Sequence, residues 1–127
     1  MPLYLCLAPE GAIAEDVKPA LAQELTDIHC EVTDAPPTFV NIFYLPMDGT
    51  LTGNSKHHIL GSIRAGRTDA QKQEIHTRMA DALAQHTGIQ KTDISIATRD
   101  VPASWAMEGG VMMPEPGEEE AWYAAHG

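Results

Sequence analysis

Arg64 and Arg67 flank a glycine turn, Arg64-Ala65-Gly66-Arg67-Thr68. A guanidinium is a planar fork that grips a carboxylate through two parallel hydrogen bonds, and a helix starting just beyond the turn would add backbone N–H groups that favour anions. The segment reads as a carboxylate cradle, or as a solvated turn whose arginines meet surface acids. Pro2 offers different chemistry. Removal of Met1 would leave a secondary amine at the start of an apolar segment, and α-amino groups ordinarily titrate near ~7.7–8.0, within range of acid or base work at neutral pH. Nearby cations would depress that value and a carboxylate would raise it. Alternatively, Pro2 simply opens an extended segment. His29 follows Leu25 by four residues, at the margin of an apolar helical stripe, where it either donates to a substrate oxygen or is satisfied locally. Glu108 precedes Gly109-Gly110, where the chain can turn sharply, and could position or deprotonate a water or stand solvated.

Other reactive side chains carry less signal. Cys6 and Cys30 are far apart and form no C-x-x-C, so both read as reduced, packed thiols. His57, His58, His76, His86 and His126 lack metal-like spacing with acids and are assigned no role. Glu118-Glu119-Glu120 reads as a solvated face. The chain has no phosphate loop, dinucleotide fingerprint, H-E-x-x-H or nucleophile elbow, so cofactor-free and metal-free catalysis is the expectation.

The elements that must position these residues follow from periodicity. Residues 3–8 and 38–45 read as short buried strands, and Val17, Leu21, Leu25 and Ile28 between them recur at helical spacing. Pro19 must sit within or beside the first turn of that helix because it lacks an N–H. Residues 58–64 are strand-like after a polar connection at 48–56. A helix over 69–87 carries Ile75, Met79, Ala82 and Leu83 on one face, opened by a Thr68/Gln71 capping box and closed at Gly88. Residues 93–98 alternate as a further strand. The pattern is α/β (α+β), with two βαβ units at about 2–46 and 57–99, a mainly parallel four-stranded sheet and two helices on one face. From 100 to 127 a turn, a short extended piece and a terminal arm packing through Trp122 and Tyr123 are expected, all within a single domain spanning 1–127.

A formal charge of −10 opposes nucleic-acid and membrane-surface binding, both of which depend on Lys and Arg. No apolar run approaches about 18 residues and the opening segment lacks a signal-peptide pattern, which makes the cytoplasm the expected location. A sheet covered by helices on one face leaves the other open, and oligomerisation through it is the natural remedy.

In order along the chain, Pro2-Leu3-Tyr4, Thr26-Asp27-Ile28-His29, Arg64-Ala65-Gly66-Arg67-Thr68, Val101-Pro102-Ala103 with Glu108-Gly109, and the tail from Pro114 to Trp122 resemble the tautomerase superfamily, specifically its cis-3-chloroacrylic acid dehalogenase-like group. The resemblance implies a tautomerase fold assembled as a homotrimer, with catalytic Pro2, a substrate carboxylate held by Arg64, Arg67 and His29, and Glu108 activating water. The tyrosine that assists the glutamate in the dehalogenases falls on Ala97, with Tyr4 and Tyr44 as candidate substitutes. The resemblance thus favours tautomerisation of a small 2-oxo or 2-hydroxy-enoic acid. Hydration or dehalogenation of a cis-3-haloacrylate or acetylenic acid is a second reading, and a non-catalytic carboxylate binder or structural trimer a third.

Overall fold

The computed structural model describes residues 1–47 and 57–126, and the connection expected at 48–56 lies outside them. The first half runs from strand β1 (Leu3–Ala8) through helix α1 (Lys18–Thr33) to β2 (Asn41–Pro46). The second runs from β3 (His57–Arg64) through α2 (Asp69–Thr87) to β4 (Ile94–Val101). A small hairpin, β5 (Met107–Glu108) and β6 (Val111–Met112), and helix α3 (Glu119–His126) complete the chain.

Within each half the crossover helix makes the two strands parallel, β1 with β2 and β3 with β4. The halves join through β1 and β3, which are antiparallel, giving the order β2-β1-β3-β4. The sheet is therefore mainly parallel, as expected, but its central seam reverses direction.

Local chemistry accounts for the element ends. Pro19 falls in the first turn of α1, where its missing N–H has no intrahelical acceptor to lose. Asp34 closes that helix in a left-handed conformation with φ 61°, tolerated because a short polar side chain can reach this region. Thr68 and Gln71 form the reciprocal capping box of α2, and Gly88 ends it at φ 75°. β2 starts later than the hydrophobic run suggests, because residues after the Pro36-Pro37 pair first make a 3-10 turn over Pro37–Phe39.

The core lies between the sheet and the two long helices. Tyr4, Cys6, Ile59 and Ile63 from the strands pack against Leu21, Leu25 and Ile28 of α1 and Ile75, Met79 and Leu83 of α2, all buried. Each such aliphatic side chain contributes about 1.5–3 kcal/mol of transfer free energy. The strand register puts Leu3, Leu5 and Leu7 of β1, Phe43 and Leu45 of β2 and Leu60 of β3 on the opposite face, with Phe43 and Leu45 exposed. No helix among the described residues is long and apolar enough to cross a membrane.

Candidate active site

The antiparallel seam assembles the site. Leu3 pairs with Ser62, so the chain before β1 runs alongside the C-terminal end of β3, where Arg64 lies. Because β1 and β2 are parallel, α1 must end near the start of both strands. Its last turns carry His29, Thr33 and Asp34 to that edge, where the Asn41 N–H donates to the Pro2 carbonyl at 3.0 Å. β4 ends beside Arg64, and Ala65 N–H donates to Val101 O at 2.9 Å, so the segment from Ala103 onward folds over the same edge.

These elements enclose a cavity of about 400 Å³. Met1, Pro2, His29, Arg64 and Arg67 line it, as do Phe39, Met113, Glu119 and Tyr123. The predicted carboxylate-binding residues and the N-terminus thus meet in one pocket. Arg67 donates from Nη1 to Thr33 O at 3.5 Å, while its buried Nε has no partner. Burial, followed by the Arg64 charge, holds the Arg67 pKa below the ordinary guanidinium value. Arg64 donates to Pro114 O at 3.4 Å and is paired with Glu119 at 3.0 Å.

His29 is 1 % exposed, on the buried side of α1 rather than at the margin suggested by spacing. Its Nδ1 lies 2.7 Å from the hydroxyl of Tyr4 and its buried Nε2 has no partner. Burial pushes the Tyr4 hydroxyl pKa well above its ordinary value, so the phenol stays protonated. Burial also lowers the His29 pKa to about 4, reinforced by Arg67 and the N-terminal amine, so the ring is neutral at pH 7. If Tyr4 donates to Nδ1, the ring's proton sits on Nε2, giving a hydrogen-bond donor at the cavity wall. Unpartnered donors on His29 and Arg67 match the oxygens of a small anion.

Glu108 forms an ion pair with the Met1 amine. It is carried there by the β5–β6 hairpin, whose tip residues Gly109 and Gly110 have φ 59° and 79°, the positive values that a tight two-residue turn demands. Burial holds the amine pKa below its ordinary value. Ala97 pairs with Leu60 on the face of the sheet away from the helices. Neither candidate tyrosine replaces its missing hydroxyl beside Glu108 within this chain. Tyr4 bonds His29, and Tyr44 donates to Lys18 O at 2.8 Å beside a separate cavity containing Cys6.

Glu119 corrects the reading of the acidic run as a wholly solvated face: its side chain turns to Arg64 and lines the cavity. Tyr123, expected to pack the terminal arm, does so at the cavity wall, where its ring stacks on Phe39 with centroids 6.4 Å apart and planes 10° apart. Phe39 itself was unmarked by sequence as a site residue. Among the described residues no group of three or more His, Cys, Asp or Glu side chains is arranged to hold a metal ion.

The family model Tautomerase_3, described as "Putative oxalocrotonate tautomerase enzyme", matches residues 1–126. The chain belongs to this tautomerase family. Similar solved structures agree with its fold. Native Ps01740 is 32 % identical with a TM-score of 0.76, over 84 % of this chain and 99 % of that one. N1, a member of the cis-3-chloroacrylic acid dehalogenase family, has a TM-score of 0.83 at 24 % identity over 98 % and 92 %. A fused 4-OT asymmetric trimer, F6, has a TM-score of 0.75 at 24 % identity over 94 % and 98 %. No curated protein matches the chain significantly. The resemblance to the tautomerase superfamily is thus matched by the family model, and the fold is shared with N1.

Proposed function

We propose that the chain is a cofactor-free tautomerase that interconverts enol and keto forms of a small 2-oxo or 2-hydroxy-enoic acid. The observation that carries this reading is the single cavity in which the N-terminus meets Arg64, Arg67 and a neutral His29, with buried donors on His29 and Arg67 left unpartnered. Removal of Met1 would shift the terminal amine by one residue, about 3.8 Å along the chain, and make it the secondary amine of Pro2. With the carboxylate on the arginines and the 2-oxygen at His29 Nε2, neutral Pro2 takes the enol O–H proton. Protonated Pro2 then delivers a proton to the substrate carbon and returns to its neutral form, giving no net change in the enzyme. General acid–base transfer of this kind contributes about 10²–10⁴-fold.

The test is turnover of enol substrates by protein whose intact mass confirms loss of Met1. Pro2→Ala should remove most of the rate; an undiminished rate sinks the proposal, as does full activity in protein that retains Met1.

One observation favours a second activity, hydration of an unsaturated acid. Glu108 already meets the N-terminal amine, so after processing a carboxylate could stand beside Pro2 and direct a water while protonated Pro2 serves as general acid. Glu108→Gln should cripple hydration and largely spare tautomerisation. Equal loss of both would remove this role from Glu108. The open face bearing Leu3, Leu5, Phe43 and Leu60, together with the trimeric 4-OT neighbour, supports assembly as a homotrimer.

A further inference from the structure

The carboxylate site already holds a carboxylate. Glu119 sits in the first turn of α3, with Oε1 3.0 Å from Arg64 Nη2 and Oε2 accepting the Gly117 N–H at 2.8 Å. It lines the same cavity as His29, Arg67 and the N-terminus. Glu118 and Glu120, on either side, are exposed and form no ion pair among the described residues. Glu119 alone of this run has turned inward.

The helix that carries Glu119 is held by a small set of contacts. Tyr123 stacks on Phe39 at the cavity wall, and the Trp122 indole N–H donates to Met112 O at 2.6 Å. No residue of α3 is buried, so the helix contributes little to the core and can move at small cost. The Arg64–Glu119 pair is partly exposed and ranks among weak, exchangeable ion pairs. Two guanidiniums lining one cavity repel each other, and an internal anion offsets that repulsion until another anion arrives.

We propose that Glu119 is the resting occupant of the carboxylate site, and that an incoming substrate carboxylate exchanges with it on Arg64 and so unlatches α3 from the cavity. The proposal rests on the reading of Arg64 as a carboxylate binder. Its consequence is selective. Neutral molecules cannot displace Glu119, whereas a carboxylate replaces one ion pair with another and opens the pocket as it binds.

The experiment measures the affinity of 2-oxobutanoate for wild type, Glu119→Gln, Glu118→Gln and Arg64→Gln by NMR titration, following the Trp122 indole N–H as a report on α3. Gln at 119 keeps an acceptor for the Gly117 N–H but removes the competing charge. Glu118→Gln makes the same change in net charge at an unpaired neighbour. Glu119→Gln should bind about two- to fivefold more tightly than Glu118→Gln, the range expected for release of an exposed ion pair. In wild type the Trp122 signal should shift as 2-oxobutanoate is added. Equal or weaker binding by Glu119→Gln relative to Glu118→Gln overturns the exchange. So does a Trp122 signal that stays unmoved while the site fills. If Arg64→Gln binds as well as wild type, or no variant binds at all, the carboxylate site itself is wrong and the exchange falls with it. Those two results are distinguishable from an intact site that Glu119 does not occupy.

Discussion

Acid should destabilise this fold through His29 in a way that can be isolated. The ring is buried, and its pKa is lowered to about 4 by burial first and by the Arg67 charge second. In the unfolded chain the ordinary value is near ~6.5. Between those two values the unfolded state binds a proton at this position and the folded state does not, so folding stability falls as the pH falls. The slope is about 1.4 kcal/mol per pH unit, which amounts to about 2 kcal/mol by pH 5 and about 3 kcal/mol by pH 4. Nothing from this residue is lost above about pH 6.5. Burial also lowers the pKa of His57, His58 and His76, so the wild-type dependence should be steeper than His29 alone would make it. A difference measurement removes their share. Urea unfolding of wild type and His29→Gln, at one protein concentration from pH 7.5 to 4.5, should show curves that converge by about 2 kcal/mol between pH 7 and 5. Gln retains an oxygen that can accept the Tyr4 hydroxyl, so the substitution removes the titration without abandoning that partner. Parallel curves over this range, or an NMR titration of His29 centred near its ordinary value, would refute the account of a neutral, buried His29.

Gly61 has a steric duty at the same pair. A Cβ there would lie 2.5 Å from Tyr4 Cε1 and 2.8 Å from Cδ1, so Gly61→Ala must displace a ring that is fully buried. The expected cost is about 1–3 kcal/mol from overpacking. The rise in KM should exceed the fall in kcat, because His29 loses its orientation rather than Pro2 its proton. Denaturant unfolding and steady-state kinetics check both, and a variant with unchanged stability would show that the sheet yields there. The proposed trimer should be visible by light scattering at about three times the chain mass, and Phe43→Asp should shift it towards monomer, because the substitution puts a charge on an exposed apolar strand. A monomeric wild type would require another explanation for that face.

Much of this protein was legible in one dimension. Thr68, Gln71 and Gly88 mark the ends of α2 because capping is local, decided by residues three or four positions apart. The helical spacing of Leu21, Leu25 and Ile28 marks the buried side of α1 for the same reason. The chemical types that meet in the cavity, a proline after Met1 and two arginines around a glycine, were also visible as types. Glu119 was not. Three consecutive glutamates look alike in sequence, and only the direction of the helix that begins there turns one of them toward Arg64 while its neighbours face solvent. Tyr4 as the partner of His29 was equally hidden, since the pair lies 25 residues apart.

The sequence by itself determined the two strand–helix–strand halves, because hydrophobic periodicity and capping are short-range properties. How the halves meet was decided by tertiary structure. β1 pairs antiparallel with β3, and this reversal alone carries Arg64 back to the N-terminus, since a parallel seam would have left the end of β3 at the opposite edge of the sheet. Pairing direction depends on backbone hydrogen bonds between segments more than fifty residues apart, and no local pattern of side chains encodes it.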